Sequence, residues 1–324
     1  MPRHNTILAL FRDADDVKAC IPLLTGIPSV IRTVVTGNLS FTLENLRRTG
    51  IEPCLTIITG RLYPMERPNL VGTIRGFFPG TEFLMISSDV DPFPSMKQLA
   101  ADRLRHLIIN TSAVHDESGA ATKARLHMAV NNLVEGRAWE IADHVKPGTI
   151  IHEIAVSSSA EKEELIAMVE SSITGDLPHI DLLRQKGALL ADEMLENAMY
   201  GAPKGDDGAK LYRKGMERTI RTDERIVFRY GFDGETLAMA IADGWGSLSP
   251  EIVLEHLSRK QDNAEVFEDS GGRGLFIIWR FLDHFHVTIS PGRQTVVGGH
   301  VGVTSLLDPE VPRGFHISTH LHAS

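Results

Sequence analysis

Glu193 and Asn197 stand four residues apart in Ala191-Asp192-Glu193-Met194-Leu195-Glu196-Asn197-Ala198, so in a helix they share one face. An amide carbonyl beside a carboxylate suits a magnesium ion held mainly by nucleotide phosphates, where the protein supplies few ligands. An ordinary solvated helix face has the same appearance. Further along, Asp243 ends an apolar run and is followed by Gly244 and Gly246. A carboxylate there can accept a hydrogen bond from an adenine amino group while glycine backbone makes room for the base. A third cluster, Gly271-Gly272-Arg273-Gly274-Leu275, opens an apolar stretch. Glycines at a helix start present free N–H groups and the positive end of the helix dipole to phosphate oxygens. Each cluster alone reads equally well as a turn or a polar surface; their order along the chain carries the argument.

The elements that must hold these residues follow from periodicity. A strand at Thr149–Ser157 and a helix at Ala160–Ser171 precede a long helix, Ile180 to Tyr200, which carries Glu193 and Asn197. The strands Arg225–Tyr230 and Thr236–Ala242 flank Gly231-Phe232-Asp233-Gly234, a hairpin turn that leads into Asp243. Ser249-Pro250-Glu251 supplies an N-cap, a first-turn proline and a first-turn acid for a short helix to about Arg259. The polar stretch Lys260 to Ser270 reads as a lid before the apolar helix Leu275–Leu282. Strands Phe285–Ser290 and Thr295–Thr304 close the region around Pro291-Gly292-Arg293.

The first third has a different rhythm. Strand-like runs recur at Thr6–Phe11, Val30–Thr36, Cys54–Thr59, Glu82–Ser87 and His106–Thr111, with helical segments such as Asp15–Leu24, Ser40–Arg47 and Ser95–Arg105 between them. Alternating β and α units imply a parallel sheet with helices on both faces. Residues 120–144 read as helix until Lys146-Pro147-Gly148 stops it, which places the seam near residue 147.

Composition narrows the class. The 324 residues suffice for two domains, and 42% hydrophobic with 23% charged residues is the balance of a globular α/β protein. A formal net charge of −9 opposes a nucleic-acid backbone, so no nucleic-acid partner is expected. No apolar run approaches the ~20 residues of a membrane span, and the N-terminus lacks a cleavage site, so a cytoplasmic protein with no membrane partner is expected. Cys20 and Cys54 sit in apolar patterns and read as reduced core thiols. His284 and His286 share a strand face, and His316, His320 and His322 fall in a tail read as floppy.

Together, E-x3-N on a helix, Asp-Gly-x-Gly after a strand, a lid, and Gly-Gly-x-Gly-Leu before a helix resemble the ATPase domain of histidine kinases. The compact form, with no dimerisation hairpin ahead of it, is similar to the serine-kinase anti-sigma factors. The resemblance implies ATP and Mg2+ as cofactors, Glu193 as general base, Asn197 on magnesium and Asp243 on adenine. It also implies that Gly246, Gly272, Arg273, Gly274 and Leu275 help bind the nucleotide. The adenine loop departs from D-x-G-x-G: Trp245 and Ser247 stand where glycines belong. The stretch Asn197 to Pro203, with Asp243 to Leu248, also resembles a bacterial group in which such a domain follows a receiver-like one. The first third resembles a response-regulator receiver without its chemistry. Counting back from Pro64, the phosphoacceptor position is Gly60; the acidic pair falls on Phe11 and Arg12, and the lysine near Asn110. Only Ser87 keeps its hydroxyl; Asp13, Asp15, Asp16, Asp89 and Asp91 read as helix caps and solvated loops, with a rebuilt acidic cluster at that edge as the alternative.

The expected fold is thus α/β and α+β. A flavodoxin-like, receiver-like parallel sheet spans 1–125, a helical connector 126–147, a two-layer α/β sandwich of the histidine-kinase ATPase type 148–308, and a flexible tail 309–324. The implied function is a bacterial signal-transduction regulator acting on a protein partner, such as a sigma factor or antagonist, with a homodimer as a family-level expectation. A serine/threonine kinase and a nucleotide-independent dimerising adaptor are the alternatives.

Overall fold

The computed structural model describes residues 6–28, 30–35, 39–66, 69–88, 95–110, 120–205, 207–258, 273–304 and 313–320. It is a mixed α/β protein that divides into two units, Met1–Ala138 and Trp139–Ser324.

In the first unit the strands are β1 (Thr6–Phe11), β2 (Val30–Val35), β3 (Leu55–Thr59), β4 (Glu82–Ser88) and β5 (His106–Asn110). They run parallel in the order β2-β1-β3-β4-β5. All six residues of β1 are buried, as expected of a strand covered on both faces. The helices are α1 (Ala14–Leu24), α2 (Leu39–Arg48), α3 (Tyr63–Glu66), α4 (Asn69–Phe77), α5 (Met96–Ala101) and α6 (Ala120–Glu135). Asp13 caps α1 by accepting from the backbone of Asp15 and Asp16, and Ser95 caps α5 in a reciprocal box with Gln98. Leu126, Ala129 and Val130 form the buried stripe of α6.

In the second unit a 3-10 turn (Ile141–His144) precedes β6 (His152–Ala155), and α7 (Lys162–Ser172) and α8 (Pro178–Glu196) follow. Next come β7 (Val227–Phe232), β8 (Thr236–Asp243), α9 (Pro250–Ser258), α10 (Arg273–Phe281), β9 (His284–Ser290), β10 (Gln294–Gly302) and β11 (Gly314–Thr319). The sheet order is β11-β9-β10-β8-β7-β6. Its pairs are antiparallel except β11 with β9, which is parallel. Helices α7, α8 and α10 pack on one face. On the other, Ile141, Val145 and Ile151 pack against Ala238, Ala240 and Val296.

Two boundaries differ from expectation. The stretch read as one connector is divided: α6 belongs to the first unit, whereas Trp139 and Ile141 bury themselves in the second. The expected tail contains β11, whose Phe315, His316 and Ile317 are fully buried. Its polar composition hid a strand whose pairing with β9 fills its hydrogen bonds. His316 stacks on Trp139 with ring centroids 4.2 Å apart, in a cluster that also holds His144, His284, His286 and His300.

Candidate functional site

Helix α8 does not end in a regular cap. It opens into a π turn, Asn197–Gly201, in which the Ala202 N–H reaches back five residues to the Asn197 carbonyl at 2.8 Å. Such widened turns recur at functional sites. Here the turn presents both Asn197 and Gly201 to a cavity of about 270 Å3 between α8, α10 and the sheet. Pro203 follows and cannot continue the helix.

Asp243 ends β8 at the floor of the same cavity and is 6% exposed. Burial pushes its carboxyl up to about 6, while the backbone N–H groups of Trp245 and Gly246 pull the other way; the Trp245 N–H donates to it at 2.9 Å. The cavity walls are apolar, from Ala198, Ile241, Leu248, Leu275, Ile278 and Val297. Few convergent polar groups in an apolar hollow are the usual make-up of a small-molecule site.

Two of those polar groups lack hydrogen-bond partners among the described residues. Asn197 Nδ2 and Thr295 Oγ1 are both buried and unpaired. Thr295 lies opposite Asp243 in the β8–β10 register, so an acid and a hydroxyl sit side by side at the floor. Gly274, the second residue of α10, lies against Asn197: a Cβ there would come within 2.5 Å of Nδ2. The glycine is what allows the helix start and the amide to meet.

Of the residues expected from sequence, Asn197, Asp243 and Leu275 line this one cavity, and Gly274 abuts it. Glu193 does not line it. It sits half-buried one turn earlier, where burial raises its carboxyl above the usual range, Lys214 and Arg273 lower it, and Asp192 and Glu196 add to the rise. Arg273 is exposed at the start of α10. Gly246 is buried with φ +55 and packs against the β9–β10 turn, where Gly292 N–H donates to its carbonyl at 3.1 Å. Its role is therefore to close the loop onto that turn. Gly272 and the expected lid from Lys260 to Ser270 lie outside the described residues. Trp245, which stands at a glycine position of the adenine pattern, does not line the cavity; the Arg221 guanidinium lies 5.8 Å from its ring centre.

The loop and the π turn share one support. Arg218, buried, pairs with buried Glu224 and donates to the Met199 carbonyl at 2.5 Å. Gly244 N–H donates to the Glu224 carbonyl at 2.6 Å. This pair thereby ties the segment carrying Asn197 to the segment carrying Asp243.

In the first unit, the strand ends that a receiver would use line a small hollow of about 100 Å3 with Asp16, Thr59, Ser87 and Ser88. Asp16 accepts from the Thr59 hydroxyl at 2.6 Å and from the Arg12 backbone at 3.0 Å. Gly60 presses against Ser87, leaving no room for a larger residue: its Cβ would lie 2.7 Å from the Ser87 Cβ. Asp13 is occupied as the helix cap and Asp15 is exposed; Asp89 and Asp91 lie outside the described residues. Among the described residues no group of three or more His, Cys, Asp or Glu is arranged to hold a metal ion, and no helix is long and apolar enough to cross a membrane.

Sequence reasoning missed Thr295, Lys204, Lys210 and His256, which also line the cavity. Thr295 is placed by cross-strand register, Lys204 and Lys210 by the return of the chain after the π turn, and His256 by the packing of α9; none of these leaves a local motif. No known protein-family profile matches the chain, and no curated protein matches it in sequence.

Proposed function

We propose that the second unit is an adenine-nucleotide-binding module of the histidine-kinase ATPase kind, and that the chain is a signalling regulator acting on a protein partner. The observation that carries this reading is the meeting of Asn197, Asp243 and Leu275, from three separate sequence clusters, around one cavity with Gly274 packed on the Asn197 amide. The residues present fit the ligand. Asp243 with Thr295 suits a ring bearing an amino group, the apolar walls suit the ring's faces, and the Asn197 carbonyl suits a magnesium ion brought by phosphates. Magnesium would neutralise phosphate charge there. The order β2-β1-β3-β4-β5 in the first unit supports a receiver-like reading, and Asp16 engaged by Thr59 with Gly60 packed on Ser87 supports a role without phosphate transfer, as a surface for partner contacts.

A kinase reading draws on Glu193. Its carboxyl is raised above the usual range by burial, and it stands one helical turn from Asn197, a position that suits a general base.

The test is calorimetric titration of the full chain with Mg·ATP, with Asn197→Ala alongside. Saturable binding that weakens at least tenfold in the variant supports the reading. No binding at millimolar Mg·ATP leaves the nucleotide-independent adaptor. Where binding is seen, incubation with labelled ATP and candidate antagonist proteins tests the kinase, and label transfer should disappear in Glu193→Gln.

A further inference from the structure

The cavity is charged differently at its two ends. Its floor holds Asp243 and Thr295, 6% and 1% exposed, which offer an acid and a hydroxyl. Its mouth holds two cations, half-buried Lys204 and exposed Lys210. They come from the segment directly after the π turn. There the chain doubles back: Gly205 N–H donates to the Ala209 carbonyl at 2.9 Å and Leu211 N–H to the Pro203 carbonyl at 3.2 Å. The turn passes through Gly208 with φ +78, and Asp207 is engaged by the Ala209 N–H at 2.9 Å.

Lys204 and Lys210 are paired directly across this antiparallel bridge. Side chains at opposed positions project to the same side, and like charges placed so repel each other. Several neighbouring cations are matched to acids. Lys162 meets Asp192 and Glu196, Lys214 meets Glu196, and Arg218 meets Glu224. Among the described residues, neither Lys204 nor Lys210 forms an ion pair. Two opposed ammonium groups lining a cavity, without an ion pair among the described residues, form a place for a polyanion.

We propose that Lys204 and Lys210 form a clasp for the terminal phosphates of a nucleoside triphosphate, so that the site selects the triphosphate over the diphosphate and the bare nucleoside. The clasp rests on the adenine-nucleotide reading above. It adds a second phosphate contact, built from the return of the chain after α8 and independent of the glycines before α10. Lysine suits the role because its ammonium is a compact charge with three rotatable donors that can follow a flexible phosphate tail.

The test is calorimetric titration of the full chain with Mg·ATP, Mg·ADP and adenosine. Three proteins are compared: the unaltered chain, Lys204→Ala/Lys210→Ala, and Lys204→Arg/Lys210→Arg. Each lost charge-assisted contact should weaken Mg·ATP on the order of tenfold. Mg·ADP should weaken less, adenosine should be unchanged, and the arginine pair should keep most of the Mg·ATP affinity. An alanine pair that binds Mg·ATP as tightly as the unaltered chain overturns the clasp while leaving the nucleotide site intact. Equal weakening for adenosine overturns it too, by showing that the lysines only hold the cavity's shape. If the unaltered chain binds none of the three, the nucleotide reading itself falls and the clasp with it.

Discussion

The strand ends of the first unit and the cavity of the second both gather polar groups at a sheet edge, yet they treat them in opposite ways. In the first unit, Asp16 is buried and satisfied by Thr59 and Arg12, and Gly60 and Ser87 close against each other over a hollow of only about 100 Å3. In the second, Asn197 Nδ2 and Thr295 Oγ1 are buried without hydrogen-bond partners among the described residues, beside a hollow of about 270 Å3. Buried polar groups are hydrogen-bonded as a rule, because leaving one unmade costs its full desolvation. At the first edge Asp16 is spent on the protein's own stability, whereas at the second Asn197 and Thr295 are the groups that the proposed ligand would engage.

The largest effect that can break this contrast lies in the first unit. Asp16→Ala removes the acceptor of two hydrogen bonds and strands the Thr59 hydroxyl and Arg12 N–H. Denaturant unfolding should show a loss of about 2–3 kcal/mol, with nucleotide affinity unaffected; a neutral result would mean that this edge is not self-satisfied. Next comes Gly274→Ala. The new Cβ lands within 2.5 Å of the Asn197 amide, the mobile end of a side chain, so the fold should survive while the amide is displaced. Mg·ATP affinity should fall about tenfold, equivalent to ~1.4 kcal/mol, with little change in melting temperature. A smaller effect of opposite sign is expected from Thr295→Val, which deletes an unpaired hydroxyl. The ligand-free protein should gain up to about 1 kcal/mol while adenosine binding weakens. Stabilisation without loss of binding would detach Thr295 from the ligand.

How much of this contrast could be read in the residues depends on whether a feature is local. Asn197 and Asp243 were legible because each lies in a short motif whose spacing along one element encodes its geometry. The strands of the first unit were legible because buried parallel strands are continuous apolar runs, as Thr6–Phe11 and Leu55–Thr59 are. Thr295 was not, because its place opposite Asp243 depends on the register between strands β8 and β10, set by the turns and packing of both. Asp16 read as a helix residue near a cap, and only the approach of Thr59 from 43 positions away makes it a buried acceptor. β11 was hidden by its surroundings: His316 and Ser318 look like tail residues until Trp139 and β9 cover them. Trp245 shows the same limit. Its bulk at a glycine position is compatible with a ring that blocks a base pocket or one that stacks on the base; in the structure Gly246, at positive φ, packs against the β9–β10 hairpin, and Trp245 is not among the residues that line the cavity.

The smallest expected effect is a pH dependence, and it sharpens the contrast by acting on the cavity floor alone. Burial raises Asp243 to about 6 in the folded chain, from 3.8 for an ordinary aspartate. The folded protein therefore takes up a proton between about pH 6 and pH 4 that the unfolded chain does not. For this group, stability rises as pH falls through that window and the ionised form is the costly one. His286 works in the other direction: fully buried, held neutral far below the usual histidine range by burial with His144 adding to it, it costs stability once the unfolded chain protonates below about 6.5. Bulk stability against pH thus mixes the two, whereas binding separates them. An adenine amino group is accepted best by the carboxylate, so adenosine affinity should drop about fourfold from pH 7.5 to 5.5, and Asp243→Asn should abolish that slope. A slope that persists in Asp243→Asn would move the titrating group away from the floor, and the ligand's polar end with it.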